Sequence, residues 1–172
     1  MSPRVYLSLG SNLGDRAGNL RRAIAALPGK GIAVKRASSF YETEPVDYLE
    51  QPWFINAVLE AGTALEPREV LGVLRGIEAE MGSRKEFPGG PRVVDLDLLL
   101  YGREVVETPE VRVPHPRMHL RRFVLEPLAE IAPGARHPVL GRTAAELLAR
   151  VADHSVVRKF ISASEGSRRG AP

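Results

Sequence analysis

The chain has 172 residues, 44% hydrophobic and 26% charged, which is enough apolar material for one compact core and a squeeze for two domains. It contains no cysteine, so disulfides, thiol nucleophiles and thiolate metal sites are excluded, and any metal must be held by oxygen or imidazole. The net charge is only +3, yet 20 of the 24 basic residues are arginine, whose planar fork matches phosphate and carboxylate; an arginine-rich genome would produce the same skew.

No apolar run approaches the roughly 18 residues that span a bilayer, and Met1-Ser2-Pro3-Arg4 lacks the apolar stretch of a signal peptide. A soluble, cytoplasmic protein with no membrane partner is expected.

In chain order, Arg4 to Leu9 alternates with Val5, Leu7 and Leu9 on one face, predicting a strand that enters the turn Gly10-Ser11-Asn12-Leu13-Gly14-Asp15. Asp15 can cap a helix whose stripe is Leu20, Ala23, Ile24 and Leu27, stopped by Pro28-Gly29. Ile32 to Ser39 predicts a second strand, a polar loop follows from Glu42 to Pro52, and Phe54 to Glu60 predicts a third strand. Pro67 opens a second helix carrying Val70, Leu71, Leu74, Ile77 and Met81 and ending at Gly82.

A glycine- and proline-rich loop then leads to a fourth strand, Val93 to Tyr101. The order β-α-β-β-α-β predicts an α+β, ferredoxin-like sandwich with two helices on one face of an antiparallel sheet. A C-terminal extension follows: an irregular segment, a short apolar stretch Phe123-Val124-Leu125, and a helix opened by the capping box Thr143-Ala144-Ala145-Glu146. Residues 1–161 are expected to form a single domain. The small, polar tail 162–172 is expected to be disordered.

The chemistry concentrates in a few places. Asp95 and Asp97 interrupt an otherwise apolar strand; two apart on a strand, they share one face about 6.6 Å apart, and like charges so placed repel unless a cation lies between them. Magnesium suits such a pair, because it takes one or two carboxylates plus water and substrate phosphate oxygens. Pairing with nearby arginines, or the guarding of an edge strand, is the alternative explanation. Arg84, Lys85 and Arg92 bracket the preceding glycine-rich loop, which is either a polyphosphate site or a plain surface loop.

The stretch from Val111 to Leu125 holds Arg112, His115, Arg117, His119, Arg121 and Arg122 with no acidic residue, which makes it an anion site or a solvated face. Glu78 falls beside the apolar stripe of the second helix and either reaches solvent or binds something. Asn56, within the third strand, is a structural amide or a reader of a planar heterocycle's edge. The only Gly-Lys, Gly29-Lys30, is followed by Gly31, so no Walker-type phosphate loop is present and cations and metals must do its work.

Five segments together resemble the 6-hydroxymethyl-7,8-dihydropterin pyrophosphokinase family over about residues 4 to 130. They are Leu9-Gly10-Ser11-Asn12-Leu13-Gly14-Asp15, Ser39-Phe40-Tyr41-Glu42-Thr43 with Pro45, Gln51-Pro52-Trp53-Phe54-Ile55-Asn56-Ala57, Gly90-Pro91-Arg92-Val93-Val94-Asp95-Leu96-Asp97, and Val113-Pro114-His115-Pro116 with Arg121 and Phe123.

The resemblance implies transfer of the terminal diphosphate of ATP to the hydroxymethyl oxygen of the pterin, with attack at the β-phosphorus and release of AMP, in folate biosynthesis. It implies that Asp95 and Asp97 hold two magnesium ions. It also implies that Glu78, Arg84, Lys85, Arg92, His115 and Arg121 bind ATP, Arg84 and Arg92 being catalytic, and that Gly10, Thr43, Val46, Phe54, Asn56 and Phe123 bind the pterin. This chain departs from the family pattern at Phe87-Pro88-Gly89, one residue shorter and without the usual extra Arg and Trp, and at Glu44, where a Pro is common.

The expected sequence of events is binding of ATP and magnesium, then closure of the loops around residues 43–52 and 82–91 over the pterin. Two rivals remain at this point. A ferredoxin-like RNA-binding module would stack bases on aromatics of its central strands, and another metal-dependent nucleotidyltransferase would release a different nucleotide fragment. The pyrophosphokinase reading takes no nucleic-acid partner and leaves the oligomeric state open.

Overall fold

A computed structural model describes residues 3–83 and 87–161. The expectations for Arg84, Lys85 and the 162–172 tail therefore lie outside the described residues.

The chain runs β1 (Arg4–Ser11), α1 (Arg16–Ala26), β2 (Ile32–Ala37), β3 (Tyr41–Thr43), β4 (Phe54–Thr63), α2 (Pro67–Glu80), β5 (Asp95–Tyr101), β6 (Val106–Glu107), β7 (Arg112–Val113), α3 (Arg122–Ile131), α4 (Ala144–Arg150) and β8 (Val157–Lys159). Asp15 caps α1 by accepting from the Gly18 amide at 3.1 Å. Pro67 sits in the first turn of α2, and α4 starts on the predicted Thr143/Glu146 capping box.

Six strands make one antiparallel sheet in the order β5-β1-β4-β3-β8. The long strand β4 serves two partners on the same side, β3 along Phe54–Asn56 and β2 along Leu59–Thr63. β6 and β7 pair separately.

Both faces of the sheet are covered, which changes the simple alternation expected of its strands. On one face Val5, Leu7, Leu9, Ile55, Ala57, Leu59 and Leu96 pack with Leu20, Ala23 and Leu27 of α1 and Val70, Leu74 and Ile77 of α2. On the other, Tyr6, Val58 and Leu100 pack with Val124, Leu128 and Ile131 of α3 and Ala144 of α4. Each fully buried aliphatic side chain contributes about 1.5–3 kcal/mol.

Several boundaries differ from expectation. The stretch Phe123-Val124-Leu125 is the first turn of α3, which continues to Ile131 with Pro127 inside it. Pro127 reads as a stop in sequence, but Val124, Leu125, Leu128 and Ile131 recur at helical spacing and are all buried. The loop expected from Glu42 contains strand residues, because β3 extends to Thr43. β4 runs on to Thr63, β5 begins at Asp95 rather than Val93, and β8 was not expected at all. Among the described residues, no helix is long and apolar enough to cross a membrane.

Candidate functional site

Helix α3 covers only part of its face of the sheet, and beyond it the strands line a cleft of about 640 Å³. Strand register decides what stands there. Gly10 of β1 pairs with Asp95 of β5 on one side and Asn56 of β4 on the other, and Ser8 pairs with Asp97 in the next row. Period-two alternation therefore puts both carboxylates, a glycine and an amide on one face.

Gly10 is the floor between the charged and neutral ends: a Cβ there would lie 2.5 Å from Asn56 Oδ1 and 3.7 Å from the Phe54 ring. The Asn56 amide is held by donating from Nδ2 to Thr43 Oγ1 at 2.7 Å, so its Oδ1 points over Gly10.

At the charged end each aspartate has an arginine. Arg92 Nη1 donates to Asp95 at 3.2 Å, and Arg75 Nη2 donates to Asp97 at 3.4 Å. The arginine pairing anticipated as an alternative is thus present, and so is the shared face open to the cleft. Arg92 is 8% exposed, and its Nε finds no hydrogen-bond partner among the described residues. A buried guanidinium with a spare donor at a cleft wall suits an anion.

Glu78 neither reaches solvent nor lines the cleft. Buried on α2 behind β5, its carboxylate accepts from the Leu96 amide at 2.8 Å and from Arg75, which also donates to the Leu96 carbonyl at 3.0 Å. It thereby pins the outer strand at the residue between the two aspartates.

His115 lies on the cleft wall with Arg117 and Arg121. Burial is the main cause that pushes its pKa down; Asp97 pulls the other way, and Arg121, Arg117 and Arg75 add to the lowering. Its Nδ1 accepts from the Arg117 amide at 3.1 Å, which leaves the proton of the neutral ring on Nε2. Arg121 stacks over Phe123, 5.5 Å from the ring centre.

The rim is tied together through Asn12, 2% exposed. Its Oδ1 accepts from the Arg92 amide at 2.8 Å and its Nδ2 donates to Gln51 Oε1 at 2.8 Å and to the Pro52 carbonyl at 2.9 Å. Gln51 in turn donates to the Gly89 carbonyl at 2.8 Å, and Tyr48 meets Phe87 edge-on with ring centres 5.1 Å apart. Gly89 has φ +76, and a Cβ there would come within 2.8 Å of Asp47 Cβ, so only glycine lets the two loops meet this closely.

Of the residues singled out from sequence, Gly10, Thr43, Val46, Phe54, Asn56, Arg92, Asp95, Asp97, His115, Arg121 and Phe123 all line the cleft. Arg84 and Lys85 lie outside the described residues, and Glu78 stands behind β5. Sequence reasoning missed Arg75, Asn12 and Gln51 as site-building residues. Asn12 and Gln51 fall within the quoted motifs, but their pairing spans 39 positions; Arg75 reads as a solvated helix arginine, and only strand pairing reveals its partner.

The oxygen chemistry fits magnesium. Two carboxylates share one open face, and among the described residues no group of three or more His, Cys, Asp or Glu could form a complete protein cage.

Comparison with known proteins is consistent across sequence and fold. The family described as 7,8-dihydro-6-hydroxymethylpterin-pyrophosphokinase (HPPK) matches residues 6–133. A 2-amino-4-hydroxy-6-hydroxymethyldihydropteridine pyrophosphokinase of Bacillus subtilis is 48% identical over 132 residues, covering 76% of this chain and 79% of that one. The folic acid synthesis protein fol1 of Pneumocystis carinii is 41% identical over 152 residues, which are 88% of this chain but 20% of that protein, so this chain spans about a fifth of its length. A crystal structure of wild-type Plasmodium falciparum HPPK-DHPS superposes with a TM-score of 0.67 at 15% identity, over 87% of this chain and 45% of that one, a likeness of fold alone.

Proposed function

Because the chain belongs to the 7,8-dihydro-6-hydroxymethylpterin-pyrophosphokinase family, we propose that its cleft takes ATP at the aspartate end and the pterin alcohol at the Asn56 end. The activity is an ATP-dependent diphosphokinase transfer in folate synthesis. The hydroxymethyl oxygen attacks the β-phosphorus, the bond from that phosphorus to the oxygen bridging the α-phosphate breaks, AMP leaves with that oxygen, and the hydroxyl proton passes to solvent.

The observation that carries this reading is the row Asp95, Gly10, Asn56 across three neighbouring strands, which sets a charged end and an amide end in one cleft. A cleft of this volume lies in the usual range for small-molecule sites.

Asp95 and Asp97 would hold the magnesium, two ions in this proposal, which supplies neutralisation of the phosphate charge. The Arg92 guanidinium donates to the triphosphate, and Arg121 and the Nε2–H of His115, which also line the cleft, do the same. Arg84 and Lys85 keep the triphosphate role implied by the resemblance. Glu78 acts as a positioning residue, holding Leu96 and Arg75 rather than the nucleotide. At the other end Asn56 Oδ1 accepts from the pterin edge, its amide oriented by Thr43, while Phe54 and Phe123 face the ring and Val46 closes the rim. No side chain needs to be a strong base, since a loose phosphoryl-transfer transition state asks little of the attacking proton. Contact between the 43–52 loop and Phe87-Pro88-Gly89 limits water at the reacting phosphorus.

The same proposal includes the ferredoxin-like arrangement of β1, α1, β2, β4, α2 and β5, supported by the antiparallel neighbours β5-β1-β4-β2. It also takes residues 1–161 as one pyrophosphokinase domain and includes a cytoplasmic location. RNA binding is not favoured, since two aspartates occupy the sheet face where bases would stack. Calorimetric titration of the pterin alcohol into protein holding magnesium and a non-hydrolysable ATP analogue tests the site. One pterin bound per chain, lost in Asn56→Ala, supports it; a wild-type chain that binds no pterin contradicts it.

A further inference from the structure

The segment from Val156 to Phe160 lies beyond the residues matched by the pyrophosphokinase family, 6–133, yet it is joined to β3, whose last residue Thr43 lines the cleft. β8 pairs with β3 in the register Thr43↔Val157, Glu42↔Arg158 and Tyr41↔Lys159. Just before it, the Val156 amide donates to Glu44 Oε1 at 2.6 Å and the Glu44 amide donates back to the Val156 carbonyl at 3.1 Å. Just after it, the Phe160 amide donates to the Phe40 carbonyl at 2.8 Å.

Arg158 reaches two places at once. Its Nη2 donates to Glu42 Oε1 at 2.9 Å, and its guanidinium lies 5.1 Å from the Trp53 ring centre. Arg16 completes the arrangement from α1, pairing with Glu42 at 3.0 Å and donating to the Trp53 carbonyl at 2.9 Å.

Glu44 and Trp53 are the two ends of the loop that carries Val46 and Gln51 into the cleft. Thr43, which orients the Asn56 amide, precedes the first end, and Phe54 follows the second. Charge-assisted and cation–π contacts at both ends restrict a loop that otherwise has many conformations to sample.

We propose that Val156–Phe160 is a brace for the pterin half of the cleft, with Arg158 as its main positioning residue, so that it sets affinity for the pterin and not for the nucleotide. This rests on the pterin assignment made above. Among the described residues, the aspartates are held by Arg75 and Glu78 of α2 and by pairing with β1, and Arg92 by the Asn12 network, which meets the braced loop at Gln51 and Pro52 but makes no hydrogen bond with Val156–Phe160 itself.

The test compares steady-state KM for the pterin alcohol and for ATP in the full-length wild type, Arg158→Ala and Arg158→Lys. Arg158 is 63% exposed in its side chain, so its truncation uncovers no core and melting temperatures serve as a control. Arg158→Ala is expected to raise the pterin KM about fivefold, as loss of an ion pair and a cation–π contact would. The ATP KM should stay within about twofold, and Arg158→Lys, which keeps the charge beside Glu42, should recover part of the loss. An unchanged pterin KM, or equal rises in both KM values, overturns the brace. A wild-type chain that forms no AMP overturns the underlying pterin assignment instead, a result distinguishable from unchanged KM values in a working enzyme.

Discussion

Gly10 and Asn56 face each other in the β1–β4 register so closely that a Cβ at position 10 would lie 2.5 Å from Asn56 Oδ1. Only glycine leaves the amide in place with its oxygen open to the cleft. Gly10→Ala must displace Asn56 or the strand, and overpacking of this kind costs about 1–3 kcal/mol. Pterin affinity should fall on the order of tenfold while binding of an ATP analogue is retained, as read by titration calorimetry. Unchanged pterin affinity would show that Asn56 does not read the ligand.

The two aspartates test the charged end. Asp97→Ala and Asp95→Asn should lower turnover by on the order of a hundredfold or more, because charge neutralisation at the phosphates dominates this chemistry. Both should fold normally, since each carboxylate is only partly buried. Magnesium titrations followed by ATP-analogue binding should show weakened metal dependence, and wild-type turnover in Asp97→Ala would refute the metal role.

Glu78 offers a different signature. Its carboxylate holds the Leu96 amide and Arg75, so Glu78→Ala leaves a buried donor without a partner and should destabilise the fold by about 1–3 kcal/mol. Turnover should fall with it as β5 shifts, whereas Glu78→Gln, still able to accept from Leu96, should restore most of the stability. A stable Glu78→Ala with a weakened ATP KM alone would instead place this carboxylate on the nucleotide.

Stability should depend on pH in two steps. Burial would raise Glu42, but Arg158 and Arg16 hold it below the usual carboxylate range; burial would likewise raise Glu130, but the Ser39 hydroxyl and amide and the Tyr41 hydroxyl outweigh it. Their folded pKa values lie below the unfolded value of about 4.3, so their contribution is full above that pH and is lost as pH falls through the folded values. His137 acts at higher pH: burial, then His119, lower its pKa, so the unfolded chain takes a proton below about 6.5 that the folded chain resists. Melting temperatures should therefore decline gently below about pH 6.5 and more steeply below about pH 4.3. A melting temperature that rises from pH 7 to pH 5 would contradict this.

The parts of this fold legible in the sequence are those written in local periodicity. The stripe Leu20, Ala23 and Leu27 predicts α1, the stripe Val70, Leu74 and Ile77 predicts α2 to within about two residues, and the two-residue spacing of Asp95 and Asp97 alone puts them on one strand face. Both faces of β1 and β4 are buried because α3 covers the second one, and α3 was hidden by Pro127, which breaks the helical signal while the packing of Leu128 and Ile131 sustains the helix. β8 is three residues long, and its hydrogen bonds go to a strand more than a hundred positions away, so no local pattern announces it. Glu78 was ambiguous for the same reason: its partner Leu96 is set by tertiary packing, not by the helix that carries it.

The central claim is the transfer of a diphosphate, and the identity of the nucleotide product tests it most directly. Phosphorus NMR of the chain with ATP, magnesium and 6-hydroxymethyl-7,8-dihydropterin should show AMP and a pterin diphosphate forming in equal amounts. ADP with a pterin monophosphate, or release of inorganic pyrophosphate with AMP left on the pterin, would contradict it.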